Sequence, residues 1–218
     1  MTTQLNQERP FGVTYDVAKY DFRKIVRSML DTHDLTQLHA QKSYAVLDRK
    51  HDQSTHWHRL YYDHFDQFCP LYLQLLREHI MPLFGLAEGT LVYQVIPTFR
   101  AHLVGNLGVG AWHKDRDYNH GDAEINFWMP FTDTYDTNTL WLESEEGKGD
   151  FKAYSVKYGE ILVFRGAVLT HGNKINKTPH SRVSVDFRLL KLSHFQPTDK
   201  TSINTGSKFS LGGYFSSM

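Results

Sequence analysis

One cysteine, Cys69, is the only thiol in the 218-residue chain. That excludes an internal disulfide and any zinc cluster built from cysteines. Long apolar runs are missing as well. No stretch of 18 apolar residues occurs, and the opening MTTQLNQERPFG has no apolar centre of a secretory leader. The expected setting is the cytoplasm, with no membrane contact. Charge of one sign is not in excess, because 24 Lys and Arg balance 24 Asp and Glu. Such a chain lacks the basic field that draws proteins onto nucleic acid. Repeats and low-complexity segments are absent too.

What the chain has is a globular composition, 40% hydrophobic and 14% aromatic, with 13 histidines. The length suits a single domain over residues 1–218. Residues 1–89 read as a mainly helical support. Phe22, Ile25, Val26, Met29 and Leu30, within 15–30, follow the spacing of an amphipathic helix. Trp57, Leu60, Tyr61, His64, Phe65 and Phe68 repeat it, and Pro70 is expected to open a new helix carrying Tyr72, Leu75, Leu76, Ile80 and Leu83. Pro82 and Gly85 end that run. From residue 90 the texture changes to short β-branched and aromatic segments between Gly, Asn and Asp turns: 91–96, 99–104, 124–131, 139–144, 151–156, 160–165 and 182–190. This predicts a mainly β sandwich or barrel over 90–192, braced by the helices. The Ser-, Thr-, Lys- and Gly-rich tail, 193–218, is expected to wrap the surface or cover a site as a lid.

The stretch GAWHKDRDY places His113 and Asp115 two residues apart. At a strand end this spacing turns both side chains to one side, yet any polar turn offers the same pair. The segment EILVFRGAVLTHGN adds His171, with 55 residues intervening after Asp115, behind a buried strand and a tight turn at Gly166. Two imidazoles and one carboxylate, without thiolates, form a donor set that suits ferrous iron and leaves positions open. After ten intervening residues, Arg182 and Ser184 share one strand face, a fork and a hydroxyl suited to a carboxylate.

The ordered string H-x-D…H…R-x-S, with its spacings, resembles the iron(II)/2-oxoglutarate-dependent oxygenases over residues 90–190. The stretches PTFRAHLVGNLGVGAWHKDRDY, EINFWMPFTD and YGEILVFRGAVLTHGN are further similar to small oxygenases of aminoglycoside and aminocyclitol antibiotic biosynthesis, distantly phytanoyl-CoA hydroxylase-like. The resemblance implies a double-stranded β-helix, a cupin-like jelly roll. It implies Fe(II) on His113, Asp115 and His171, and 2-oxoglutarate chelating that iron with its far carboxylate on Arg182 and Ser184. It also implies O2 as oxidant and a small polar, sugar-like substrate that is hydroxylated or oxidatively cyclised.

Strand parity nominates further residues. Glu124, Asn126 and Trp128 share one face of 124–131, while Ile125, Phe127 and Met129 share the other. The first face is expected to look into the pocket, with Asn126 bonding either the co-substrate or a metal ligand. Arg100 and His102 share a face of 99–104. Lys114, Asp117, Tyr118 and His120 are expected at the pocket rim, and Glu143 across the mouth. Arg100, His102, Lys114, Asp117, Trp128 and Glu143 are the candidates for substrate contact. Arg188 has the parity of Arg182 but lies farther along, which assigns it to Asp186 or Glu124 rather than to the metal. His58, His64, His79 and His180 are expected to be structural or surface residues.

Other readings stay open at this level: a metal-binding cupin-type isomerase without 2-oxoglutarate, a binding module that kept the fold, and a peptide or protein hydroxylase. Either a monomer or a homodimer fits.

Overall fold

The computed structural model describes residues 7–41, 55–108, 112–202 and 205–218. The part of the helical expectation that falls on 42–54, and Gly110–Ala111 of the H-x-D stretch, lie outside the described residues. The helices are α1 (Phe22–Met29), α2 (His56–Asp63) and α3 (Phe65–Leu75), the last running through a π turn at Leu76–Ile80 into a short α4 (Met81–Leu83). The strands are β1 (Phe11–Thr14), β2 (Leu91–Gln94), β3 (Thr98–His102), β4 (Ile125–Pro130), β5 (Leu140–Leu142), β6 (Lys152–Tyr154), β7 (Glu160–Phe164), β8 (His171–Gly172), β9 (Arg182–Lys191) and β10 (Phe215–Ser217). The fold is mostly antiparallel β. Seven strands form the larger sheet in the order β1-β7-β4-β9-β2-β10, with β3 also on β9, and β6-β5-β8 form the smaller one.

The helices pack on one face of the larger sheet. Phe22, Val26, Phe68, Tyr72 and Ile80 meet Ile125, Phe127, Met129, Val183, Val185, Phe187 and Leu189 in one buried cluster. The opposite face of that sheet meets the smaller sheet through Trp128, Leu162 and Phe164 against Leu140 and Leu142. With both faces covered, all six residues of β4 are buried, which is why these strands read as nearly continuous apolar runs.

Several local expectations change. Helix α1 starts at Phe22, not Tyr15, because the Asp21 side chain accepts from Lys24 N and caps it there. Pro70 opens no helix; it lies inside α3, and the break falls at His64 instead. Pro70 removes the donor for the Asp66 carbonyl, but both residues are exposed, so water can satisfy that group. The N-terminal region also supplies β1, paired antiparallel with β7. The tail ends in β10, paired with β2 at Phe215↔Gln94, and buries Phe209, Tyr214 and Phe215 against Val92 and Leu190.

Phe127 joins the layers, stacking on Phe187 at 5.4 Å and meeting Phe84 edge-on at 5.8 Å. Phe127→Ala is expected to lower unfolding free energy by about 3–5 kcal/mol, read from the urea midpoint at unchanged slope.

Candidate metal centre

Backbone pairing brings the two distant histidines together. His113 and His171 exchange both backbone hydrogen bonds at 3.0 Å, as directly opposed residues of an antiparallel pair do. Their ring centroids lie 4.4 Å apart. Asp115 follows at the start of a 3-10 turn, its N–H donating to Gly166 O at 2.8 Å. Ligand atoms of His113, Asp115 and His171 all lie within 4.8 Å of one another, the only such group of three among the described residues. Asp115 Oδ1 sits 3.5 Å from Nε2 of each histidine. His171 Nδ1 donates to Leu169 O at 2.9 Å, which leaves Nε2, facing Asp115 Oδ1, as the ring atom available to a cation. The donor set fits a divalent metal such as Fe(II).

The other oxygen of Asp115 is fully engaged. Oδ2 accepts from Asn126 Nδ2 at 2.7 Å and from Arg188 Nη2 and Nε at 2.8 and 3.2 Å. Burial opposes the charge of Asp115, but the Arg188 guanidinium and the two histidines hold its carboxyl well below the usual range. Burial likewise opposes protonation of His171, and Asp115 outweighs it, so that imidazole is raised. Asn126 is itself placed by Gly166, whose N–H donates to Asn126 Oδ1 at 3.2 Å. A Cβ on Gly166 would lie 2.6 Å from both amide heteroatoms.

The pocket around this triad is lined also by Arg100, Asn126, Trp128, Leu140, Phe164, Asn173, Arg182, Asp186 and Arg188. Arg182 is buried, its Nη1 held by Asn138 O at 3.0 Å and Asn173 Oδ1 at 2.9 Å. Ser184 lies one pleat along, accepting from Trp128 Nε1 at 3.3 Å. Arg100 Nε lies 3.7 Å from Asp186 Oδ1, and its buried Nη1 has no hydrogen-bond partner among the described residues.

The other residues singled out in the sequence are not among those lining this pocket. Glu143 is buried, but its carboxylate accepts from Thr170 N and Gly149 N at 2.7 and 3.2 Å, where it holds loops rather than the mouth. His102 is fully buried and donates from Nε2 to Asn106 O at 2.9 Å, outside the pocket lining. Lys114 pairs with Glu146 at 3.0 Å, and exposed Asp117 accepts from Lys114 N. Tyr118 stands beside His113, ring centroids 5.0 Å apart. His120 turns away to Glu124 at 2.7 Å and packs on Phe209 of the tail. Arg188 does meet Asp186 at 3.2 Å, with Glu124 at 3.9 Å, but its reach to Asp115 contradicts the expectation that it stays clear of the metal ligands. Side-chain length caused that miss: parity gives the face, not how far a guanidinium extends along it. The tail's Tyr214, whose hydroxyl accepts from Arg188 Nη1 at 3.3 Å, carried no signal in the sequence.

Two outcomes follow from this geometry. Gly166→Ala should push Asn126 off Asp115 and weaken divalent-cation binding roughly 10- to 100-fold, measured by titration with Co(II). Second, burial lowers His58 and His102 from the usual 6.5 to about 3, helped by Arg100 and Arg182 respectively. In the unfolded chain these imidazoles take up protons below about pH 6.5, whereas the fold keeps them neutral, so stability is lost as pH falls from there toward 3. Urea midpoints between pH 7 and 5 should fall, and the fall should flatten in His58→Asn and His102→Asn. An equal slope in both variants would contradict this.

No family model matches the chain. It is 41% identical over 201 residues to the streptomycin biosynthesis protein StrG of Streptomyces griseus, covering 92% of this chain and 94% of that protein. Among solved structures, it superposes on EctD from S. alaskensis with bound Fe at TM-score 0.54 and 14% identity, over 87% of this chain and 75% of that one. It superposes on CytC3 with Fe(II) and alpha-ketoglutarate at TM-score 0.51 and 17% identity, over 84% and 74%. The chain thus belongs to the family of the streptomycin biosynthesis protein StrG, and it shares its fold with iron(II)/2-oxoglutarate-dependent oxygenases.

Proposed function

We propose that this protein is an iron(II)- and 2-oxoglutarate-dependent oxygenase, acting in the cytoplasm on a small polar metabolite of sugar or aminocyclitol type. The observation that carries the reading is the meeting of His113, Asp115, His171 and Arg182 in one buried pocket. Kinship with a streptomycin biosynthesis protein supports the substrate class. The pocket's charge supports the co-substrate. Three arginines, Arg100, Arg182 and Arg188, stand against two carboxylates, Asp115 and Asp186, so the lining is cationic before any metal binds. A dianionic 2-oxo acid is the complement of such a pocket.

On this reading His113, Asp115 and His171 hold the iron. Arg182 takes the far carboxylate of 2-oxoglutarate through its planar fork, with Ser184 behind it. Asn138 O and Asn173 Oδ1 fix that fork in advance, which lowers the ordering cost on binding. Bound iron, with 2-oxoglutarate and O2, supplies the oxidant, while the co-substrate leaves as succinate and carbon dioxide. Trp128, Leu140 and Phe164 make the dry wall that keeps bulk water from the reacting atoms. Arg100, with an unmet buried donor, is the residue proposed to meet an acidic or oxygen-rich group of substrate or co-substrate. Lys114 and Asp117 are proposed rim contacts.

The test is anaerobic absorption of the protein with Fe(II), before and after 2-oxoglutarate. A weak visible charge-transfer band should appear in the wild type and vanish in His171→Ala. In Arg182→Ala it should need about ten-fold or more co-substrate, since a hydrogen bond to a charged group contributes about 1.5–3 kcal/mol. Stoichiometric iron with no band would overturn the assignment and favour a metal-dependent isomerase.

A further inference from the structure

We propose that Arg188 is a positioning residue that restricts Asp115 to binding the metal through one oxygen. The inference rests on the metal reading above and concerns how the carboxylate is presented. The two oxygens of Asp115 have unlike surroundings. Oδ1 faces Nε2 of both histidines at 3.5 Å. Oδ2 receives three N–H donors, two from Arg188 and one from Asn126, at 2.7–3.2 Å. An oxygen with that many donors has no lone pair left to offer a cation.

Arg188 is equipped to hold this arrangement. Its side chain is 8% exposed, so water does not compete for the carboxylate. Its third nitrogen, Nη1, is anchored to Gln94 Oε1, Asp186 Oδ2 and Tyr214 Oη at 3.2–3.3 Å. The anchors come from β2, β9 and the tail, and together they hold the fork against Asp115. A lysine supplies the same charge without the paired donors. The consequence is one of coordination number. A carboxylate bound through both oxygens takes two metal positions, whereas one bound through Oδ1 takes one. The position kept open is needed if a chelating 2-oxo acid and oxygen are to share the metal with three protein ligands.

The test uses Co(II) as probe, with wild type, Arg188→Lys, Arg188→Gln and His171→Ala, each checked for folding by circular dichroism. The wild type should bind one Co(II), and His171→Ala should lose it. In both Arg188 variants Co(II) affinity should drop roughly 10- to 100-fold. Their visible ligand-field spectrum should shift, and 2-oxoglutarate should bind the Co(II)-loaded protein more weakly. A merely structural role would not move the spectrum. Folded variants with wild-type affinity and spectrum would overturn the inference while leaving the metal reading intact. Failure of the wild type to bind Co(II) would overturn both. Should the variants not fold, a crystal structure of the wild-type Co(II) complex decides. Metal on Oδ1 alone, with Arg188 still on Oδ2, supports the inference, and chelation by both oxygens overturns it.

Discussion

Strand β9 has to satisfy two unlike environments at once. Val183, Val185, Phe187 and Leu189 point into the helical layer, where they are buried among aromatic side chains. Arg182, Asp186 and Arg188 point the other way, into the pocket between the sheets, with Ser184 on the same face behind Trp128. Because side chains alternate strictly, a slip of one residue would drive two arginines and an aspartate into hydrocarbon. An unpaired charge there costs several kcal/mol, far more than any single apolar contact regained. The register is therefore pinned, and with it the distance between the arginine at the strand's start and the one beside Asp115. Strand β4 obeys the same constraint, sending Phe127 to the helices and Asn126 to the carboxylate.

From that frame the centre is assembled by backbone geometry. The opposed pair His113–His171 sets two imidazoles side by side, and Gly166 both receives the Asp115 N–H and leaves room for Asn126. The buried carboxylate is offset by a buried guanidinium, which holds Asp115 in place. Such preorganisation is what a site needs if it is to bind metal without rearranging. Gly172 serves the same end, since a Cβ there would press on Trp112 at 3.2 Å, beside the strand that carries His171.

Much of this was legible in the chain. The period-two segments foretold seven of the ten strands among the described residues, and helical periodicity foretold the brace, because both signals arise from which face is buried. The ordered H-x-D…H…R string, through the resemblance it carries, pointed to four side chains that line one pocket. What escaped was set by partners distant in sequence. β1, β8 and β10 exist through pairing with β7, β5 and β2. Glu143 was misread because its acceptors serve the N–H groups of two loops whose approach no local pattern encodes. Arg188 was misread because parity does not show how far its long side chain, anchored by Gln94 of β2 and Tyr214 of the tail, extends toward Asp115.

The central claim is that one pocket holds a metal on His113, Asp115 and His171 together with a 2-oxo acid on Arg182. Anomalous diffraction from wild-type crystals soaked without oxygen in Mn(II) and 2-oxoglutarate addresses it most directly. One manganese peak should appear, bonded to those three side chains, with the co-substrate chelating it and its far carboxylate on the Arg182 guanidinium. A peak elsewhere, or a co-substrate carboxylate that leaves Arg182 untouched, would contradict it.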